Sequence, residues 1–360
     1  MSYLEIILPF SIPPAALVPD LLRALATPTL ARLLAHAQPP AICQFDDFSQ
    51  VLPHEALLGG QIQFDAFWPR ANAAASPTAI AKRRFDTSPS ITHHRMKALG
   101  LMPEAGFWFT LHPVHIHFAR DHLVLTDQRR LDISEEEARV LFQEAAQLCA
   151  DYGKQLLYGD SKTWFLRADD WQDMQTASKD AACGHNIEIW MAKGEPARAW
   201  RKLQNEIQMQ WFAHSVNTER EARGANPVNS LWLEAGSAEL IDIPHVLTVQ
   251  ESRGLLQQAK PAKLLETDFP RHRVLLDSLI EPALNSDWAL WLDAMHELEQ
   301  TYFPIIEQAL LAGHFDTITL ATSDSQNLAG FTLLPPRAWK FWVKPSLTPL
   351  FSLPHLNPDA

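Results

Sequence analysis

The sequence predicts a mixed α/β protein with a layered core. Short β-prone runs alternate with longer stretches of helical periodicity along the whole chain. A hydrophobic fraction of 47% over 360 residues supplies enough apolar surface for one large or two ordinary domains without staples. No internal repeat organises the chain.

Leu4 to Leu8 reads as a short buried strand stopped by Pro9. Pro19 to His36 reads as helical with a break at Pro28, where Thr27 is placed to cap a second helix that opens on that proline. Residues 41 to 100 carry weaker periodicity. Part of Ala71 to Pro89, rich in Ala, Ser, Thr and Pro, reads as a mobile loop or linker. From Gly106 the pattern strengthens. Phe107 to Leu111, Val114 to Phe118, His122 to Leu125, Gln155 to Tyr158, Thr163 to Leu166 and Glu188 to Met191 read as strands. Ser134 to Ala150 reads as a helix, because Ser134 and Glu137 have the spacing of a capping box.

Pro196 to Thr218 reads as one long amphipathic helix, with Leu203, Ile207 and Trp211 at helical spacing. Val228 to Leu233 and Val246 to Val249 read as strands, the first followed by a turn at Ala235-Gly236. Arg271 to Glu281 and Trp288 to Leu311 read as helices, the second containing Pro304. Phe315 to Thr322 reads as a strong strand, with Phe331 to Leu334 and Ala338 to Trp342 as closing elements.

The formal net charge of -12 argues against a nucleic-acid surface. The basic runs Lys82-Arg83-Arg84, His93-His94-Arg95 with Lys97, and Arg129-Arg130 read as ordinary surface. Cys43, Cys149 and Cys183 fit neither a disulfide framework nor a structural zinc site and read as reduced thiols. No basic region precedes the first apolar run, and no apolar run reaches a membrane span. The expectation is a cytoplasmic protein with no membrane and no nucleic-acid partner.

Four blocks carry more specific information. They are Thr27-Pro28-Thr29-Leu30-Ala31-Arg32-Leu33-Leu34; His117-Phe118-Ala119-Arg120 with Asp127-Gln128-Arg129-Arg130; His214 to Gly224 continuing through Asn226-Pro227-Val228-Asn229-Ser230-Leu231-Trp232-Leu233 to Gly236; and Thr322-Ser323-Asp324-Ser325-Gln326-Asn327. In order and spacing they resemble the archaeal-type cofactor-independent phosphoglycerate mutases of the alkaline phosphatase superfamily. They also resemble divergent bacterial relatives of that family described as phosphoglycerate mutase-like or regulatory. The resemblance implies an alkaline-phosphatase-like three-layer core from residues 1–104 and 197–360. It also implies a smaller inserted α+β domain at 105–196.

The family moves a phosphoryl group with two divalent metals and a nucleophile, which requires a dense Asp/His set. The first strand of that family ends in an Asp-Gly; Leu8-Pro9-Phe10-Ser11 stands there instead. Asp324 is followed by Ser325 where the family has a histidine, and Asp287, Asp293, His296, Glu297 and Glu299 contain no His-Asp pair. The expectation is therefore a mutase-like protein without the two-metal centre, non-catalytic, with a ligand-binding or regulatory role and no cofactor.

The ligand expected is a small phosphorylated or anionic molecule. The residues chosen for it are His214, Asn217, Arg220, Arg223, Asn229, Asp324 and Asn327. The same polar groups also suit a purely structural role. Three-residue steps place His214, Asn217 and Arg220 near one helical face if the helix runs through them. His115 and His117 share one face of a strand and are the candidate metal ligands, for manganese or zinc, under the alternative reading of a divergent metal-dependent phosphatase or mutase. The other reading of the His112, His115, His117 and His122 group is a half-exposed strand with one hydrogen bond per ring. Trp288, Trp291, Trp339 and Trp342 read as core or, in a third reading, as a protein-interaction patch. A homo-oligomer is compatible with all three readings.

Overall fold

The computed structural model describes residues 3–62, 82–257, 271–315, 317–335 and 344–353. In chain order its elements begin with β1 (Tyr3–Leu8), α1 (Val18–Ala24), α2 (Pro28–Ala35), β2 (Ala41–Phe45), α3 (Pro53–Leu58), β3 (Lys82–Arg83) and α4 (Thr92–Ala98). Next come β4 (Trp108–Val114), β5 (Ile116–Ala119), β6 (His122–Leu125), α5 (Glu135–Asp151), β7 (Gln155–Asp160), β8 (Thr163–Arg167) and α6 (Lys179–Ala182). They are followed by α7 (Ala197–Phe212), α8 (Ser215–Ala222), β9 (Ser230–Ser237), β10 (Val246–Leu247) and α9 (Val249–Gln257). The last are β11 (Arg271–Leu275), α10 (Ile280–Leu284), α11 (Trp288–Thr301), α12 (Phe303–Leu311), β12 (Thr317–Ser323), β13 (Asn327–Leu333) and α13 (Thr348–Phe351). This is a mixed α/β architecture.

These elements form two compact units. The first draws on Met1–Asp46, Gly60–Arg83 and Ile243–Ala360; the second on Asp47–Gly59 and Arg84–Asp242. The second unit is wider than the 105–196 span expected for an insertion. The reason is strand pairing: β9 is the antiparallel partner of β4 along its length, so residues up to 237 close the same sheet.

The first unit is built on a seven-stranded sheet of order β10-β11-β1-β12-β13-β2-β3. From β10 to β12 the pairing is parallel, and β13 runs antiparallel between β12 and β2. A central parallel strand is covered on both faces, which is why β1 reads as a continuous apolar run: Leu4, Ile6, Ile7 and Leu8 are all fully buried. Glu5 breaks the run, and its carboxylate is ion-paired with Arg273, its register partner on β11. That pairing corrects the helix expected over Arg271 to Glu281. Buried apolar runs of this length fit either period, and the parallel partnership with β1 selects the strand. The helix expected over Trp288 to Leu311 divides at Tyr302, just before Pro304.

The second unit holds an antiparallel sheet of order β7-β8-β4-β9 and a separate β5-β6 ribbon. Helices α5 and α7 bury Leu141, Ala145, Cys149, Trp200, Leu203, Ile207 and Trp211 in one core with Phe109, Leu111, Trp164 and Leu166 of the sheet. The capping box at the start of α5 forms as expected: Ser134 Oγ accepts from the Glu137 amide at 3.2 Å, and Glu137 accepts from the Ser134 amide at 2.9 Å. Two expectations are corrected. Glu188 to Met191 is no strand but lies at a 3-10 turn over Ile187–Ile189, held by the Asn186 side chain. The helix over Pro196 to Thr218 is two helices, because His214 is extended and caps α8.

The turn expected at Ala235-Gly236 lies inside β9, at the position where its register against β4 shifts and Ala235 takes a φ of 60°. Of the linker expected over Ala71 to Pro89, residues 71–81 lie outside the described residues, as does the closing element at 338–342. Among the described residues, no helix is long and apolar enough to cross a membrane. A Cβ at Gly236 would lie 2.6 Å from ring carbons of both Phe107 and Phe109. Gly236→Ala should therefore destabilise the second unit by about 1–3 kcal/mol, read as a lower urea midpoint.

Candidate functional site

The segment from His214 to Asn229 holds five of the seven residues chosen for an anionic ligand, all within the second unit. His214 Nδ1 accepts from the Val216 amide at 3.1 Å, and its Nε2 lies 3.3 Å from Glu144. Asn217 is buried; its Nδ2 donates to the Trp211 and Val228 carbonyls, and its Oδ1 accepts from the Val228 amide, each at 2.8 Å. Arg220 is 0% exposed, and its guanidinium donates to the carbonyls of Asn226, Asp132 and Leu131 and to Glu137. Arg223, half exposed, pairs with the same Glu137. Burial pushes the Glu137 carboxyl up, but the Ser134 amide and both guanidinium groups outweigh it and hold it below its ordinary value.

Asn229 clasps the backbone of Ile116, accepting from its amide and donating to its carbonyl at 2.8 Å each. It thus takes the place of a further strand along the outer side of β5. Four of these side chains hold backbone groups, and Arg223, paired with the Glu137 carboxylate, is the cation of the set that reaches solvent. Asp324 and Asn327 belong to the first unit. There Asp324 Oδ1 accepts from the amides of Gln326 and Asn327 at 2.7 and 2.6 Å, and Oδ2 accepts from Asn327 Nδ2 at 2.9 Å. Both oxygens build the turn between β12 and β13. Burial raises the Asp324 carboxyl against these hydrogen bonds.

Three of the four histidines follow the one-bond-per-ring pattern, whereas His112 is buried and engages both ring nitrogens, with the Lys162 carbonyl at 2.9 Å and Glu234 at 3.3 Å. His115 Nδ1 lies 2.8 Å from the Pro227 carbonyl, His117 Nδ1 3.1 Å from Thr126 Oγ1, and His122 Nδ1 2.8 Å from Asp121. The rings of His115 and His117 stack with centroids 5.8 Å apart. Among the described residues, no group of three or more His, Cys, Asp and Glu is arranged to hold a metal ion. Trp291 is fully buried, and Trp288 packs half-buried against it with ring centroids 6.1 Å apart, so Trp291 is not part of an exposed patch. Trp339 and Trp342 lie outside the described residues. All three cysteines are free and buried, and burial pushes their thiols up, Cys43 to about 11 and Cys149 and Cys183 to about 12.

At the carboxyl end of β1 the first unit closes on itself. Ser11 Oγ donates to the Leu8 carbonyl at 2.8 Å, and Phe10 holds a φ of 53° with its carbonyl accepting from Trp291 Nε1 at 2.8 Å. One turn and a half further along α11, His296 Nε2 accepts from the Ala26 amide at 3.1 Å. Beyond it, Glu299 accepts from the amides of Thr29 and Leu30 at 2.6 and 3.2 Å. Those amides are the open donors of the first turn of α2, where an N-cap side chain or a bound anion normally sits.

Thr27 occupies the cap position but makes no capping bond. Its buried Oγ1 has no hydrogen-bond partner, so the cap expected from Thr27 is supplied by Glu299. The two metals implied by the family resemblance do not fit these residues. Leu8, Pro9 and Phe10 offer no side-chain donor, and both Asp324 oxygens are committed to their own turn.

A second polar centre, absent from the sequence-level candidates, lies in the core of the second unit. Glu234 on β9 accepts from Arg95 Nη1 and from the Lys179 amide, both at 2.5 Å, and His112 Nε2 lies 3.3 Å away. Burial pushes this carboxyl up, but Arg95 and His112 hold it far below the usual range. Arg129 forks onto Asp180 and also meets Asp127 at 3.0 Å, so it is no ordinary surface residue. Asp180, penalised by burial, is held far down by Lys179 and Arg129. The hollow beside this network, lined by Asp127, Gln128, Lys179, Asp180 and Cys183, has no room for a water molecule.

No protein-family model matches the chain, and no curated protein matches it. Among solved structures it is similar to a cofactor-independent phosphoglycerate mutase from Thermoplasma acidophilum: 16% identity, a TM-score of 0.36, and coverage of 98% of this chain and 94% of that one. It is also similar to a protein from Pyrococcus horikoshii: 12% identity, a TM-score of 0.48, and coverage of 98% and 92%. Both are distant matches spread over nearly the whole of each chain.

Two contrasts test these assignments. Arg220→Met should cost about 3–5 kcal/mol because it leaves three carbonyls without their donor and removes one of the two guanidinium partners of Glu137, whereas Arg223→Ala should cost less than about 1 kcal/mol; chemical denaturation reads both. Glu299→Ala should destabilise the first unit by about 1–2 kcal/mol, as the loss of a helix cap does. Hydrogen exchange at Thr29 and Leu30 checks that the effect is local.

Proposed function

We propose that this chain is a phosphoglycerate mutase-like protein without the two-metal centre, acting in ligand binding or regulation and not as a mutase. One observation carries the reading. Where the resemblance places the metals, the chain's own groups fill the chemistry. Phe10 and Ser11 are bonded to Trp291 and Leu8, and a tethered carboxylate, Glu299, takes the amides that would cradle a phosphate. Transfer of a phosphoryl group needs positive charge gathered on its oxygens. Glu299 brings negative charge to that place.

The ligand we propose is a small phosphorylated or anionic molecule. Arg223 is the residue of the chosen set with a solvent-reaching charge to offer it, and it supports this reading only through that exposure. The test is elemental analysis of the purified protein before and after incubation with manganese and with zinc, followed by mutase and phosphatase assays. The expected result is no stoichiometric metal and no turnover. A pair of bound metals per chain with turnover would establish the divergent phosphatase instead. Calorimetric titration with 3-phosphoglycerate and with inorganic phosphate tests the ligand half, and Arg223→Ala should weaken any binding found.

A further inference from the structure

His115 stands just ahead of β5, and His117 lies within it. Their two-residue spacing on an extended chain sends both side chains to one face of the β5-β6 ribbon. The rings stand side by side, with centroids 5.8 Å apart and planes 11° from parallel. His117 is exposed and His115 half-buried. Both belong to the second unit, whereas Leu8 to Ser11 and Asp324, where the family resemblance would put metal ligands, belong to the first.

Each ring spends one nitrogen on the protein and keeps the other. His115 Nδ1 meets the Pro227 carbonyl at 2.8 Å. A carbonyl only accepts, so Nδ1 carries the proton and the lone pair is left on Nε2. His117 Nδ1 meets Thr126 Oγ1 at 3.1 Å. Neither Nε2 has a hydrogen-bond partner among the described residues, and that of His115 is open to solvent. Burial lowers the His115 imidazole from its ordinary value, with the Pro227 carbonyl opposing it, so the ring is neutral near pH 7. A neutral imidazole whose second nitrogen donates to a backbone carbonyl is the form in which histidine ligates metals.

We propose that His115 and His117 form a two-imidazole site for copper(II), and more weakly for nickel(II), ligating through the two Nε2 atoms with water completing the set. Copper(II) stands highest in the divalent series and accepts a tetragonal arrangement of nitrogen and oxygen ligands. Manganese favours oxygen ligands, and zinc sites take three or four protein ligands, so two imidazoles serve neither. Closing on one ion turns the His117 ring about χ2, a soft torsion, and gives up only its contact with Thr126. The site does not depend on the functional reading given above.

The test is calorimetric titration of the full chain with copper(II) chloride in a non-coordinating buffer, with electron paramagnetic resonance of the loaded protein. Saturable binding with the hyperfine pattern of imidazole nitrogen ligands is expected. His117→Ala should weaken it by at least about tenfold, since loss of even an outer partner of a metal ligand costs about 10–100-fold. The double variant His115→Ala/His117→Ala should abolish it. His122→Ala, which removes the ribbon histidine paired with Asp121, should leave it unchanged. No saturable copper binding in the wild type would overturn the proposal, as would binding that survives the double variant. If the double variant does not fold, His117→Ala decides in its place, because the exposed His117 ring makes a single side-chain hydrogen bond, and an unchanged affinity there overturns the site.

Discussion

The second unit depends on one buried carboxylate. Glu234 sits on β9 with 1% of its surface exposed and receives a guanidinium from α4, a backbone amide from α6 and the imidazole of His112 on β4. A charge so placed is tolerable only when its partners arrive in full, and removing any one leaves the others uncompensated. The polar contacts at Glu234 thereby add to the apolar contact that Met96 makes with Trp108 and Phe165 in placing the helices against the sheet. Around it the same logic repeats: Arg129 holds Asp127 and Asp180, and Arg220 holds Glu137 with three carbonyls. These charged groups are paired inside the unit, and its apolar core includes the edge-to-face pair Trp164 and Trp211.

Local features of the fold were legible in the sequence because their causes are local. Ser134 and Glu137 are three residues apart and cap each other, and the β-prone runs over Gln155 to Tyr158 and Thr163 to Leu166 read as the strands β7 and β8. The α/β class follows from the same short-range periodicities. The errors have long-range causes. Arg271 to Leu275 became a strand through partners on β1, and the Arg273–Glu5 pair spans 268 positions of sequence. His214 interrupts a helix whose apolar spacing runs on past it, because a side-chain cap competes with continued helix.

The site was legible as a deficit more than as a construction. Pro9, Phe10 and Ser325 stand where the resemblance would put metal ligands. That Glu299 stands over the first turn of α2 was not readable, since the two are separated by 270 positions and a glutamate within an amphipathic helix has no distinguishing signature. Likewise Arg220 and Asn217 suited either a ligand or a structural role. Sequence alone has no means of telling a guanidinium that waits for a ligand from one that has already found three carbonyls. Burial and partner geometry make that distinction, and for these residues they assign the donors to the chain itself.

The interleaving of the two units sets an order of events during synthesis. Strand β1 is synthesised well before its neighbours β11 and β12, which follow it by 268 positions or more. Nearly all of the second unit lies in one contiguous span that is complete long before those neighbours exist. A largely apolar parallel strand must therefore wait, unpaired, while a unit folds downstream of it. The yield of folded protein then depends on how well Leu4 to Leu8 is sheltered until β11 and β12 are made.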